Sequence, residues 1–137
     1  MGETIQLRDY FYLETPDKPG EAARVLSQLK EAGVNLLVFS GFPEGRRAQM
    51  DFVPEDSVVF KAVIKRNKWK LIGPKKCFVI QGEDRVGAVV DLLAKLAEAN
   101  INITATDAVC AGAGRYGMIL WVKPRDVKRA AKALGIA

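Results

Sequence analysis

The chain of 137 residues contains no histidine. That absence excludes a Ser-His-Asp triad, a Cys-His nucleophile pair and any histidine-based metal centre, which together account for much of hydrolytic and metal-assisted catalysis. Cysteine is scarce as well. Cys77 and Cys110 lie far apart and neither belongs to a C-x-x-C pair, so zinc ligation and dithiol redox chemistry are not expected, and both read as buried thiols. No apolar run approaches the roughly 18 residues that a membrane-spanning helix needs. The N-terminal "MGETIQLRDYFY" lacks the basic segment and apolar stretch of a secretory signal, so a cytoplasmic protein without membrane attachment is expected. Acidic residues are missing from one stretch: between Ser57 and Lys76 there are seven cations (Lys61, Lys65, Arg66, Lys68, Lys70, Lys75 and Lys76) and no acid.

What is present is the composition of a folded globular chain, 49% hydrophobic and 27% charged with a net charge of +5. The length suits one ordinary domain or two very small ones. It also contains a repeat. "DKPGEAARVLSQLKEAGVNL" (Asp17 to Leu36) returns as "DRVGAVVDLLAKLAEANINI" (Asp84 to Ile103), an offset of 67 positions (84 − 17). One register pairs Asp17 with Asp84, Gly20 with Gly87, Leu26 with Leu93, Leu29 with Leu96, Ala32 with Ala99 and Asn35 with Asn102. Two copies at such a spacing signal a duplicated structural unit.

Within each copy the apolar period changes in a fixed order. Leu7 to Leu13 and Cys77 to Ile80 are rich in aromatic and branched residues and read as strands. Ala22, Val25, Leu26 and Leu29, and again Val89, Leu92, Leu93 and Leu96, recur at spacings of three and four and predict helices with one apolar stripe. Gly33 and Asn100 suit the left-handed residue that ends a helix. Val34 to Phe42 with Ala48 to Val53, and Ile101 to Cys110 with Tyr116 to Val122, predict hairpins across "PEGR" and "AGAGR". The run "AGAGRYG" reads as a flexible loop or lid between those strands, since it lacks the strand-to-helix setting of a phosphate loop. Pro54 and Pro124 introduce second helices, with Val59, Ala62 and Val63, and Val127, Ala130, Ala131 and Leu134, facing inward. A short strand from Trp69 to Ile72 closes the first copy, and Gly73-Pro74 turns into the second. The predicted order is βαββαβ, an α+β fold of two tandem ferredoxin-like modules, residues 1–73 and 74–137, with antiparallel sheets and helices on one face. The tail "ALGIA" is too short for the second module's last strand, so that sheet edge is open, covered by the segment around Ile5, or covered by another chain.

This pattern resembles the ACT domain family, small βαββαβ modules that bind amino acids and regulate amino-acid metabolism. The resemblance is carried by Asp17, Pro19 and Gly20 in the turn before the first helix and by Gly33-Val34-Asn35 at the entry to the second strand. The second copy keeps Asp84, Gly87 and Asn102 but has Val86 in place of the proline. It implies ligand sites at an interface between two modules, of this chain or of two chains, with the first turn of one facing the second strand of its neighbour.

The residues themselves suit a zwitterion. N–H groups at the turn of Pro19 and Gly20 hold a carboxylate, Asp17 or Asp84 pairs with an ammonium, and Asn35 or Asn102 adds a donor and an acceptor. Structural roles compete with these. Asp17 can cap its helix, Pro19 can set the first helical turn, the glycines can permit close packing, and the asparagines can satisfy strand-entry backbone groups. The expectation is a non-catalytic regulatory protein that senses a small amino acid allosterically, without cofactor or metal. It acts as a homodimer or through a partner enzyme or regulator. The rival expectation is nucleic-acid binding through the basic stretch 57–76, which lacks the aromatic strand motif that stacks bases. A phosphoryl-transfer site using Arg85 and Asn102 is disfavoured by Glu83 and Asp84, whose charges repel an anion.

Overall fold

The computed structural model describes residues 3–136. They form six strands and four α-helices: β1 (Thr4–Pro16), α1 (Glu21–Glu31), β2 (Leu36–Glu44), β3 (Arg47–Pro54), α2 (Ser57–Asn67), β4 (Ile72–Glu83), α3 (Val90–Glu98), β5 (Ile103–Gly112), β6 (Arg115–Val122) and α4 (Val127–Ala133), with a 3-10 turn at Pro124–Asp126 before α4. The chain divides into two compact units. The first is Asp9–Lys75; the second takes in residues 76–136 together with 3–8.

In the first unit the strand order is β2-β3-β1 and all pairs are antiparallel. Phe39, Phe52 and Phe11 are cross-strand partners, as are Gly41, Met50 and Leu13, and then Pro43, Ala48 and Thr15. Cross-strand partners share a face, and this face carries the core. Phe11, Leu13, Met50 and Phe52 pack with Val25 and Leu29 of α1 and with Phe60, Val63 and Ile64 of α2. The rings of Phe11 and Phe52 lie 5.4 and 5.5 Å from that of Phe60, in tilted arrangements that suit aromatic quadrupoles.

The helix stripe expected for α1 is present, with Val25 and Leu29 buried and Leu26 half-buried, whereas Ala22 is exposed. For α2 the expected inner face holds in part: Val63 is buried and Val59 half-buried, whereas Ala62 is exposed and Phe60 and Ile64 also point inward. Pro54 is the last residue of β3, and α2 begins later, at Ser57. Asp56 is its cap, with Oδ1 accepting from the N–H groups of Val58 (2.9 Å) and Val59 (3.4 Å).

The strand and turn expected at Trp69 to Pro74 are not found. Residues 69–71 lie outside any strand, and β4 begins at Ile72 and runs straight through Gly73-Pro74 to Glu83. Gly73 has φ +125, and a Cβ there would stand 2.9 Å from the Tyr10 carbonyl oxygen, so both conformation and closeness call for glycine. The first four residues of β4 thus lie beside β1 inside the first unit, and the remainder of the strand belongs to the second.

In the second unit the order is β4-β6-β5, again antiparallel. Phe78, Ile80, Met118, Leu120 and Val122 pack with Leu92 and Leu96 of α3 and with Ala130, Ala131 and Leu134 around α4. Val89, Leu93 and Val127 complete the expected stripes as partly buried residues. Ile5 packs against this core too, so among the open alternatives for the missing last strand the segment around Ile5 is the one that belongs to the unit. After α4 the residues up to Ile136 form a turn, with Gly135 at φ +84 and the Ile136 N–H donating to the Ala131 carbonyl; Ala137 lies outside the described residues. Gly33 (φ +74) and Asn100 (φ +57) adopt the left-handed conformation after α1 and α3. Arg129 of α4 donates to the carbonyl of Ala99 at 2.6 Å, tying the end of α3 to α4. The "AGAGRYG" run is a tight hairpin and not a lid: β5 extends to Gly112, β6 begins at Arg115, and Ala113 and Gly114 turn with φ of +56 and +71.

Candidate functional site in the first unit

The turn from Asp17 to Gly20 connects β1 to α1. Gly20 is the residue that caps α1; its φ of +88 places it in the left-handed region, where glycine is favoured, and nothing lies within 4 Å of a Cβ built on it. Conformation, and not close packing, is what this glycine supplies. No side chain caps the helix, so Asp17 does not play the capping role. The N–H groups of Ala22 and Ala23, in the first turn, have no intrahelical partner, and the helix dipole makes this end favourable for negative charge. Glu21 would oppose an anion, but its carboxylate is taken up by Arg24, at 3.0 Å from Nη2 and 3.3 Å from Nε. That hydrogen bond holds the Glu21 carboxyl below its ordinary pKa. Asp17 remains exposed at the rim.

Behind this turn a cavity of about 400 Å³ opens between the start of α1 and the β2–β3 hairpin. Phe39, Gly41, Ala48 and Met50 line its sheet side, with Thr15 and Asp17 beside the turn. Gly41 has no positive φ, and a Cβ there would meet only the Phe39 ring at 3.9 Å, so the absent side chain leaves space and relieves no strain. Thr15 is 95% buried, and its hydroxyl has no hydrogen-bond partner. A buried hydroxyl without a partner costs free energy of order 1–3 kcal/mol.

The corresponding place in the second unit is filled. At the offset of 67, Gly82 stands where Thr15 does, and its cross-strand partner Tyr116 stands where Ala48 does. The Tyr116 side chain lies over the Gly82 backbone so closely that a Cβ on Gly82 would be 2.6 Å from Cε1 and 2.9 Å from Cζ and the hydroxyl. Tyr116 is buried, and burial raises its phenol pKa, with the Glu3 charge adding to the effect. The second unit's turn also differs. Gly87 keeps φ +72, but α3 starts three residues later, after Ala88 and Val90 donate to the carbonyls of Arg85 and Gly87. The Asp84 N–H is taken by the Gly114 carbonyl at 2.8 Å. Cys110 is exposed, where a buried thiol is expected, and Cys77 is buried; the Cys110 thiol donates to the Asp84 carboxylate, and that bond with the Asp84 charge raises the thiol pKa.

No family model and no curated protein matches the chain by sequence. Solved structures do. A protein from Bacteroides thetaiotaomicron superposes with a TM-score of 0.81 at 13% identity, over 95% of this chain and 88% of that one. The ligand-free regulatory subunit of aspartate kinase from Thermus thermophilus matches with a TM-score of 0.66 at 18% identity, over 98% and 95% of the two chains. The corresponding subunit from Thermus flavus matches with 0.60 at 19% identity and the same coverage. The fold is ACT-like. At these identities the likeness concerns the fold.

In this ACT-like chain the residues expected to hold a zwitterion do not converge within either unit. Asp17 follows the Pro16–Arg47 pair, whereas Asn35 precedes the Leu36–Pro54 pair, so they stand at opposite ends of β3, roughly 25 Å apart by strand rise. Asp84 and Asn102 are likewise divided by the length of β6. Pro19 and Gly20 accompany Asp17. Asn35 borders a separate open hollow of about 420 Å³ with Leu26, Lys30 and Gly33, and donates from Nδ2 to Glu55 at 3.2 Å. Arg85 lies 3.9 Å from Asp91, and Asn102 is far from it at the other end of β6, so they form no phosphoryl site.

The basic stretch 57–76 maps onto α2, the segment after it and the first residues of β4, and Lys61 and Lys75 sit over the rings of Phe11 and Tyr12 at 5.4 and 5.2 Å. Among the described residues the exposed large aromatic side chains are Phe39 and Phe42, on opposite faces of β2, which is no stacking platform for bases. Thr15, Gly41, Ala48, Gly82 and Tyr116 escaped the sequence reading. The available signal was Gly82, a glycine inside a strand, which marks a close approach.

Proposed function

We propose that this chain is a non-catalytic regulatory protein that binds a free amino acid at the first turn of its first unit and transmits occupancy to a partner enzyme or regulator. The observation that carries the reading is the uncapped start of α1 opening beside a 400 Å³ cavity, with Asp17 at its rim. Backbone N–H groups there suit a carboxylate and Asp17 suits an ammonium. The likeness to regulatory subunits of aspartate kinase supports a regulatory role.

Asn35 is too far from Asp17 to serve the same guest within one unit. In this reading it contributes from a neighbouring module, which calls for a homodimer, the commonest closed assembly. The second unit, with Asp84 and Gly114 engaged and Tyr116 in the corresponding space, is a structural partner and not a second equal site.

A thermal-shift screen of the twenty amino acids tests the proposal. Ligand at a hundredfold over its dissociation constant stabilises the fold by about 2.7 kcal/mol, a shift of roughly 5–10 °C for a chain of this size. Absence of any shift at millimolar concentration refutes it.

A further inference from the structure

The two units are copies of one plan, and each has a place between the start of its first helix and its sheet where a side chain can lie. In the second unit the protein fills that place itself: Tyr116 projects from β6 over the bare backbone of Gly82. In the first unit the paired positions are Ala48 and Thr15, the ring is missing, and a cavity of about 400 Å³ remains. Its lining is mixed: Phe39 and Met50 are apolar walls on the sheet side, Asp17, Lys18 and Glu21 stand at the turn, and the position at Gly41 is left open without any backbone need for glycine. The buried Thr15 hydroxyl lacks a partner. A void of this kind, matched to a ring in the sister copy, describes the shape of what enters it.

We infer that the first unit's cavity accepts the side chain of an α-amino acid that is aromatic or of similar apolar bulk, occupying the space that Tyr116 occupies in the second unit. The inference rests on the amino-acid-binding reading and makes it specific, since the side chain it requires is larger than a small amino acid carries. With the guest's carboxylate at the α1 N–H groups and its ammonium beside Asp17, the side chain extends from the rim toward Gly41 and Met50. Contact with Phe39 adds ring stacking, and the Met50 thioether favours an aromatic edge. The Thr15 hydroxyl is placed to meet a polar atom on the guest, such as a phenolic oxygen. A lysine or aspartate side chain extended toward Gly41 would have to leave its charge against Phe39 and Met50, on the sheet side of the charged residues of the turn, which is costly without a partner.

The test uses the full chain and free phenylalanine, tyrosine, leucine, lysine, aspartate and serine in a thermal-shift assay. Phenylalanine or tyrosine is expected to raise the melting temperature by several degrees, and lysine, aspartate and serine to leave it unchanged. The paired variant Thr15→Gly/Ala48→Tyr installs the second unit's own plug, and Gly41→Leu fills the cavity from the opposite wall. Each is expected to keep the parental circular dichroism and lose the shift. If the paired variant does not fold, Gly41→Leu decides alone. A shift with charged or small amino acids only, or an aromatic shift that persists in the filled variants, overturns the cavity assignment while leaving amino-acid binding intact. No shift with any amino acid overturns both.

Discussion

Substituting Gly82 by alanine adds one methyl group to β4 at a point where Tyr116 Cε1 would be 2.6 Å away, with Cζ and the hydroxyl at 2.9 Å. Ordinary carbon contacts begin near 3.5 Å, so the ring must move by about an ångström or the strands must part. Gly82 has no positive φ, so alanine loses nothing through backbone strain; in a strand it should gain slightly from reduced unfolded-state entropy. Overpacking of this kind costs about 1–3 kcal/mol. Truncating the ring alone, Tyr116→Ala, removes a buried aromatic and costs about 3–5 kcal/mol. The three nearest atoms to that methyl all belong to the Tyr116 side chain, so Gly82→Ala should cost much less in the Tyr116→Ala background. Urea unfolding of the four proteins in a double-mutant cycle reads a coupling of about 1–3 kcal/mol. An equal cost for Gly82→Ala in both backgrounds would mean that Tyr116 does not lie over Gly82, and the account of a plugged second unit would fall with it.

Asp56→Ala removes the cap of α2 and should lower stability by about 1 kcal/mol, read as a lower urea midpoint at unchanged slope. Asp51 is 95% buried, and burial raises its carboxyl pKa above the ordinary value despite the hydrogen bond from Gln49 at 2.9 Å and the charge of Lys75. The folded state therefore holds this proton more tightly than the unfolded chain. Its contribution is fully present below the ordinary aspartate pKa and is lost as pH rises through the elevated one, so Asp51→Asn should lessen the loss of stability over that window and leave the protein more stable at neutral pH. Urea titrations at a series of pH values check this; a parallel displacement at every pH would refute it. Cys110 is exposed yet should react slowly with iodoacetamide at pH 8, because its bond to Asp84 raises the thiol pKa, and Asp84→Asn should speed alkylation. Under the proposed function, Asn35→Ala should abolish the amino-acid shift with the fold intact.

Much of the architecture could be read from the sequence because local chemistry and global fold agree there. The stripe Val25, Leu26 and Leu29 and its counterpart Leu92, Leu93 and Leu96 announce helices against a sheet, and Gly33 and Asn100 mark helix ends for the conformational reason expected. Reading failed where a strong local signal was overruled. Gly73-Pro74 spells a turn, yet β4 passes through it, because what happens there depends on the approach of Tyr10 and Phe11, residues distant in sequence. Pro54 looked like a helix start, but it ends β3, and Asp56, accepting from two N–H groups, sets the start of α2. At the candidate site, the turn from Asp17 to Gly20 was legible as a motif. Its distance from Asn35 was not, since identical residues in a repeat say nothing of which copy faces which. The cavity depends on a pair, Thr15 with Ala48, that only strand register joins.

The allotment of strand segments has a practical consequence for dissecting the molecule. Residues 4–8 precede the first unit in the chain but are part of the second, whose core receives Ile5. A fragment made by a single scission near residue 75 would deprive its C-terminal piece of that segment, and purified halves would be poor surrogates for the whole. Anyone wishing to study one half in isolation would do better to graft residues 3–8 back onto residues 76–136 through a short linker than to trust a clean cut.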